Sequence, residues 1–413
     1  MTAEVIEPPQ ATSPWEPLRI ATFRRFWLAS LASNFGTWIH EIGAGWLMTT
    51  LDATPEMVSA VRASMALPIV LLAIPAGVLA DRIDKRKLLI GTQSGMLIIT
   101  SLLAFLTLTG MITAWGLLML TFMIGLGMVV HAPTWQSAVP ELVPRNQISR
   151  AVGLGSINFN LARAAGPAVG GVLIAVVGIW STFAVNAMSF AGVTMVLWTW
   201  QRTTTESSGG RSFWRSMIQG VRFVARNDIM RHVMIGVGLF VLPGSALWSL
   251  MPLYARTHLG WGASGFGMMV AMIGTGALIG ASQLPRLRAQ LGADRQVAAS
   301  MYCCSIGLFT LSFAPPWPIV MIAMLFMGMG WMATLTTLNA TAQVTLPQRL
   351  RARGMGCYLT VMAGSMSVGS VVWGQVAGTL GLPQTWWIAA FALAATAVIS
   401  LSFGIARGLA NEG

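Results

Sequence analysis

Twelve apolar runs of about 18–28 residues divide this chain, each close to the length that a helix needs to cross a bilayer. They cover 26–49, 57–80, 88–109, 115–139, 150–177, 180–200, 232–255, 264–284, 297–314, 318–343, 355–380 and 386–406. Hydrocarbon offers no water to backbone N–H and C=O groups, so runs of this length specify helices whose bonds close within each segment. Charged residues are 9% of the 413 and hydrophobic residues 55%. A soluble surface draws on about 25% charged residues, so most of this surface faces lipid. The longest polar stretch, 201–231, is too short to bury a core of its own. The expected fold is an all-α membrane protein of twelve transmembrane helices.

The net charge of +12 points to topology rather than to nucleic acid. With the N-terminus inside, one side collects Arg19, Arg24 and Arg25, then Arg82, Lys85, Arg86 and Lys87, then Arg145 and Arg150. The same side takes Arg202, Arg211, Arg215, Arg222, Arg226 and Arg231, then Arg286, Arg288 and Arg295, then Arg349, Arg351, Arg353 and Arg407. That is 22 of 25 basic residues; Arg256 alone lies opposite, and Arg62 and Arg163 lie inside runs. Cytoplasmic loops are the basic ones, so both termini are expected in the cytoplasm.

An internal repeat runs at an offset of 203 residues. Gly125, Gly127, Pro144, Arg150, Gly153, Gly166 and Gly171 match Gly328, Gly330, Pro347, Arg353, Gly356, Gly369 and Gly374. Two six-helix halves in parallel repeat place a substrate path between them. The expected divisions are a disordered tail (1–20), an N-terminal half (21–200), a linker (201–231), a C-terminal half (232–406) and a second tail (407–413). Within the linker, Arg211, Arg215, Arg222 and Arg226 fall on one helical face and Phe213, Trp214, Met217, Ile218 and Val221 mostly on the other. Such a basic amphipathic helix lies on an anionic membrane surface. The first twenty residues lack the basic start and apolar run of a secretory signal. Cys303, Cys304 and Cys357 sit in apolar runs without metal spacing, and no phosphate loop or nucleophile–base set can be assembled. Neither an enzyme, a metal nor a cofactor is expected.

The second loop reads Gly77-Val-Leu-Ala-Asp81-Arg82-Ile-Asp84-Lys85-Arg86-Lys87, which resembles the loop signature of the major facilitator superfamily. Gly153 followed by Gly166-Pro167-Ala-Val-Gly170-Gly171 is similar to the glycine–proline signature of its antiporter branch, with Ala162 where the family usually has a further Gly. Phe23 to Trp27, Asn34 to Trp38, Gly45 to Leu47, Trp135-Gln136, Val139 to Pro144 and Asn160 to Arg163 resemble a bacterial subgroup, the enterobactin-exporter-like transmembrane secretion effectors. The corresponding loop of the second half has Leu284 where Asp81 would stand. The resemblance implies alternating access in a bacterial inner membrane, with the halves rocking about a central site. It implies a gating loop of Gly77, Asp81, Arg82 and Arg86 in which Asp81 and Arg82 latch the halves in one state, and an antiporter-like motif of Gly153, Gly166, Pro167, Gly170 and Gly171 whose proline bend seals the cavity against leak.

Of thirteen acids, only Glu41 sits well inside a run. An ionisable side chain in hydrocarbon is costly, and its retention points to function. Asn34, Trp38, Glu41 and Gly45 share one helical face. Glu41 is the candidate proton site, an acid position that the superfamily's drug antiporters often use. Arg62 lies at a similar depth and Arg163 midway along the fifth run, so a structural ion pair with either is the alternative. Arg163 shares a face with Ser156, Asn160 and Pro167, the stripe of a water-filled wall, and is a candidate to hold an anionic substrate or to partner the proton site, while Asn158 points elsewhere. His40 and His131 are titratable candidates, each also expected to hydrogen-bond a neighbour. The function expected is proton-coupled export of a small siderophore-, drug- or metabolite-like solute by a monomer; an uncoupled facilitator or importer is the alternative, and a non-transporting sensor or scaffold a third reading.

Overall fold

The computed structural model describes residues 13–200, 213–348 and 350–403, without the side chains of 74, 77–82, 213–217, 352 and 403. Every regular element among the described residues is helical. The long helices are α1 (Ala21–Leu51), α2 (Pro55–Arg82), α3 (Lys85–Leu108), α4 (Ala114–Ala138), α5 (Ile148–Val176) and α6 (Trp180–Thr199). After the short α7 (Phe213–Arg226) come α8 (Asp228–Leu253), α9 (Ala263–Leu291), α10 (Ala293–Leu311), α11 (Trp317–Thr345), α12 (Arg351–Leu380) and α13 (Leu382–Phe403). Ten of these helices are long and apolar enough to cross a membrane. The exceptions among the long ones are α1, diluted by Asn34, Thr37, His40 and Glu41, and α10, whose first turn carries Asp294, Arg295 and Gln296.

Large apolar side chains stand exposed along α3, α6, α10 and α13, among them Ile98, Met188, Ile306 and Phe391. A patch of that extent in water would drive association; lipid is the solvent that matches it.

The repeat in the sequence is a repeat of packing. Ala114 and Trp317 open α4 and α11, and Ile148 and Arg351 open α5 and α12, both pairs 203 residues apart. Helix α1 packs on α5 and α6, α2 on α4, and α3 on α4 and α6; α8 packs on α12 and α13, α9 on α11, and α10 on α11 and α13. The repeated glycines occupy matching contacts: Gly125 faces α2 and Gly328 faces α9, and Gly127 faces α3 and Gly330 faces α10. Two further pairs join the sets reciprocally, α5 with α9 and α12 with α2.

Several joining contacts crowd towards the end that bears the turns 52–54, 177–179 and 254–262, the end expected outside. A Cβ on Gly267 of α9 would lie 2.5 Å from the carbonyl oxygen of Pro167, and one on Gly171 of α5 would lie 2.7 Å from that of Ala263. Neighbours that are backbone cannot swing aside, so these positions admit hydrogen alone. Gly374 and Gly378 of α12 meet Ser59 and Glu56 of α2 at the same end.

Two expectations are modified. Residues 13–20 were expected as part of a disordered tail, but Glu16–Arg19 form a 3-10 turn, Pro17 is buried, and Glu16 pairs with Arg150 of α5. Residues 1–12 and 404–413 lie outside the described residues. The amphipathic helix is present as α7, and it also docks on protein: Val224 is buried, and a Cβ on Gly220 would lie 2.6 Å from Cβ of Arg353 in the first turn of α12. Ile218 and Val221 remain exposed. Arg202, Arg211, Arg349 and Arg407 lie outside the described residues, as does the side chain of Arg215.

Candidate functional site

Helix α1 ends at Asp52, whose carboxylate accepts from the amide and hydroxyl of Thr54 at 3.0 and 2.7 Å. These bonds hold the Asp52 carboxyl below its ordinary range. The chain then reverses into α2. Counting back from this turn at about 1.5 Å per residue, Glu41 and Arg62 lie roughly 10–15 Å deep on adjacent helices. They meet there: Arg62 Nη1 donates to Glu41 Oε2 at 3.1 Å.

The pair borders a cavity between the two helix sets. Trp38, Glu41, Ile42 and Arg62 line one side, and Trp248, Met251, Phe266 and Val270 of α8 and α9 line the other. The Arg62 guanidinium lies 5.5 Å from the Trp248 ring centroid, within cation–π range. Trp248 is in turn edge-on to Trp331, 5.6 Å away, which adjoins Phe240 at 4.9 Å. Arg62 therefore holds a carboxylate of one set and an aromatic face of the other. Both side chains keep some exposure, 18% for Glu41 and 24% for Arg62.

Trp38 borders this cavity and rests its Cβ on Gly166 of α5. Asn34 turns away: its Nδ2 donates to Asn158 Oδ1 at 2.9 Å, Asn158 Nδ2 donates to the Trp27 carbonyl at 2.9 Å, and Trp27 Nε1 donates to the Leu154 carbonyl at 2.9 Å. Asn34 is thus part of an α1–α5 fastening. Asn158, which the helical wheel places off the polar stripe, is buried for that reason.

Arg163 stands apart from Glu41 and is not its partner. Its Nη2 donates to Asn160 Oδ1 at 2.8 Å and lies 3.9 Å from Met332 Sδ of α11, while its Nε is buried without a hydrogen-bond partner among the described residues. Asn160 Nδ2 in turn donates to the Ser156 carbonyl at 2.8 Å, and the Ser156 hydroxyl to that of Val152 at 3.3 Å. The expected stripe of Ser156, Asn160 and Arg163 exists, and Pro167 continues it into the contact with α9.

The histidines do not join the cavity. His131 of α4 lies 3.3 Å from Gln93 Nε2 of α3. His40 packs edge-on against Phe183 of α6, ring centroids 4.9 Å apart, and neither ring nitrogen has a partner among the described residues. The expected hydrogen bond of His40 is therefore absent there; the ring is held by packing.

The glycine motif divides by direction. Gly166 and Gly170 receive α1 at Trp38 and Ile39, and Gly171 receives α9. Gly153 meets nothing within 4 Å. Gly77, Asp81 and Arg82 fall in the stretch of α2 whose side chains lie outside the described residues. Arg86 is bonded within the first set: its Nε and Nη2 donate to the carbonyls of Leu197 and Trp198 at 3.0 and 2.6 Å, at the end of α6. Among the described residues no three His, Cys, Asp or Glu side chains could hold a metal ion.

Trp248 and Phe266, aromatics in apolar runs with no polar signal, escape a reading of the sequence, and Arg256, which there bears only on topology, donates from Nη1 to Thr49 Oγ1 at 3.1 Å.

Comparison with known proteins narrows the reading. The sequence profile described as "transmembrane secretion effector" matches residues 12–412. The staphyloferrin A transporter of Staphylococcus aureus is 24% identical over 289 residues, covering 70% of this chain and 73% of that one. The multidrug efflux pump Tap of Mycobacterium tuberculosis is 23% identical over 411 residues, covering 92% and 93%. Among solved structures, a variant of the nucleoside transporter NupG superposes with a TM-score of 0.73 over 92% of this chain and 99% of that one, at 13% identity.

Proposed function

Because the chain belongs to the transmembrane secretion effector family of major facilitator transporters, and so is a multi-pass membrane transporter of small solutes rather than an enzyme, we propose that it exports its solute in exchange for protons, with Glu41 as the proton site. The observation that carries this reading is the Glu41–Arg62 pair, set in the cavity between the helix sets and touching Trp248 of the opposite one. Protonating Glu41 removes the charge that holds Arg62 in place. The guanidinium is then free to leave the Trp248 face, and the contact between the sets weakens. Deprotonation restores both. A proton thereby biases which arrangement of the two sets is populated, which is the requirement for coupling.

In this reading residues 21–200 and 232–406 act as two halves of six membrane-crossing helices, with both termini cytoplasmic and one chain sufficient, in a bacterial inner membrane. The helices α1 and α10 complete the twelve spans: their polar groups face protein, as Glu41 and Gln296 do. The crowded α5–α9 and α12–α2 contacts support a state closed outside and open to the cytoplasm. Asp81 and Arg82 latch the cytoplasmic side when the halves reverse. The siderophore and multidrug transporters among the relatives support a solute of similar class.

The test uses energised inverted vesicles, a panel of siderophores, dyes and drugs, and a fluorescent report of the pH gradient. An exported substrate dissipates an acid-inside gradient, and Glu41→Gln abolishes that dissipation. Dissipation that persists in Glu41→Gln removes Glu41 as the essential proton site. Solute flux without proton movement in either form establishes the uncoupled facilitator, with the Glu41–Arg62 pair static.

A further inference from the structure

We infer that Arg163, supported by Asn160, is an oxyanion receptor in the transport path, and that the solute carries a carboxylate. The charge inventory leads there. In the interior of the described long helices the ionised groups are Glu41, Arg62 and Arg163, and the first two neutralise each other. The other described acids lie at helix ends and turns: Glu16, Asp52, Glu56, Asp84, Glu141, Asp228 and Asp294. No carboxylate pairs with Arg163 among the described residues, so the interior carries one uncompensated positive charge. Such a charge is expensive in a membrane protein unless a counter-ion visits it.

Geometry points the same way. Asn160 takes one Nη2 hydrogen of Arg163 at 2.8 Å and is itself fixed by the Ser156 carbonyl. The Arg163 Nε, on the same guanidinium edge, is buried and makes no bond among the described residues. The second Nη2 hydrogen is directed at Met332 Sδ, a weak acceptor that a carboxylate oxygen displaces, and with it gone Nε and Nη2 together match the spacing of two carboxylate oxygens. Arg163 reaches across to α11, where Met332, Thr336, Asn339 and Gln343 follow one another along one face. Ser156 on the α5 side and Gln343 on the α11 side are exposed, and both lie towards the end assigned to the cytoplasm. A solute entering there meets amide and hydroxyl groups first and the guanidinium at the inner end.

The inference rests on the transport reading, but its test reads binding without a gradient, so failure of one is distinguishable from failure of the other. The full chain is placed in nanodiscs of zwitterionic lipid, which present no net anionic headgroup. Thermal stabilisation is titrated with benzoate, 1-naphthoate and succinate, with the corresponding amides and amines, and with sodium chloride. At least one carboxylate is expected to bind about tenfold or more tightly than its amide, as a charge-assisted bidentate contact provides. In Arg163→Gln that ratio falls close to one while the amide's affinity is unchanged; in Arg163→Lys part of the preference remains. Amides or amines binding as well as carboxylates, a preference that survives Arg163→Gln, stabilisation that chloride alone reproduces, or no binding by any carboxylate each overturns the inference. If Arg163→Gln does not fold, the ranking of carboxylate against amide on the unaltered chain, together with Arg163→Lys, decides it.

Discussion

Arg256, which follows α8, donates from Nη1 to Thr49 Oγ1 near the end of α1 at 3.1 Å, and its guanidinium lies 5.8 Å from the ring centroid of Trp46. Trp46 is in turn stacked on Phe266 of α9. One exposed basic side chain thus bridges the two helix sets at the end that bears the turns 52–54 and 254–262. A cation–π contact at an exposed site contributes about 0.5–1 kcal/mol. Arg256→Ala is expected to raise the population open at that end about two- to fivefold. The check is labelling of a cysteine placed at Met251, which borders the cavity, by an impermeant reagent added from outside, with Cys303, Cys304 and Cys357 replaced by Ser. An unchanged labelling rate excludes Arg256 as a closing contact.

The glycines of α5 and α9 make a graded prediction. Gly267→Ala places a methyl 2.5 Å from a backbone oxygen and is expected to separate α5 from α9, with loss of transport. Gly153→Ala meets nothing within 4 Å, and alanine favours a helix over glycine by up to about 1 kcal/mol. Thermal unfolding in detergent should therefore show Gly153→Ala as stable as the parent or more so. Equal damage from both substitutions contradicts the packing described.

Asn158 is a fastener. Replacing it with Leu removes the bond from Asn34 and the bond to the Trp27 carbonyl. Polar contacts between membrane helices contribute about 0.6 kcal/mol each on average. Asn158→Leu is expected to lower stability by about 1–2 kcal/mol and to leave the pH dependence of transport where it was. A shift in the pH profile without loss of stability would place Asn158 in the coupling path instead.

His131 bonds to Gln93 between α3 and α4, remote from the cavity lining. The pH profile of transport in His131→Asn should overlay that of the parent. A displaced profile assigns His131 a part in proton movement.

The helix pattern and the matching depths of Glu41 and Arg62 were legible in the sequence because both depend on quantities a sequence carries, although the sequence left Arg163 as a second possible partner. Run length sets the spans, and the distance of each residue from the shared turn at Asp52 sets its depth. The amphipathic α7 was legible from its alternation of arginine and apolar positions. The partners of Asn34, Arg163 and His40 were not. A helical wheel says which residues share a face and leaves open which helix that face meets. Asn34 shares a face with Glu41, yet a small rotation towards α5 gives it to Asn158. Trp248 was illegible for another reason: an aromatic in an apolar run carries no mark until a guanidinium is found over its ring.

The three interior charges all belong to the first helix set. At the 203-residue offset, Glu41, Arg62 and Arg163 correspond to Gly244, Gly265 and Met366. A membrane voltage acts on charge, at about 2.3 kcal/mol per elementary charge for each 100 mV crossed. It therefore does its work on one set alone. In the proposed cycle the empty carrier returns with Glu41 protonated, so that work falls on Arg62 as well as on Arg163, in proportion to the part of the field each traverses. With Glu41 deprotonated again, a monoanion held at Arg163 leaves the interior without net charge. Voltage then steers the return of the empty protein and leaves the loaded step electrically silent.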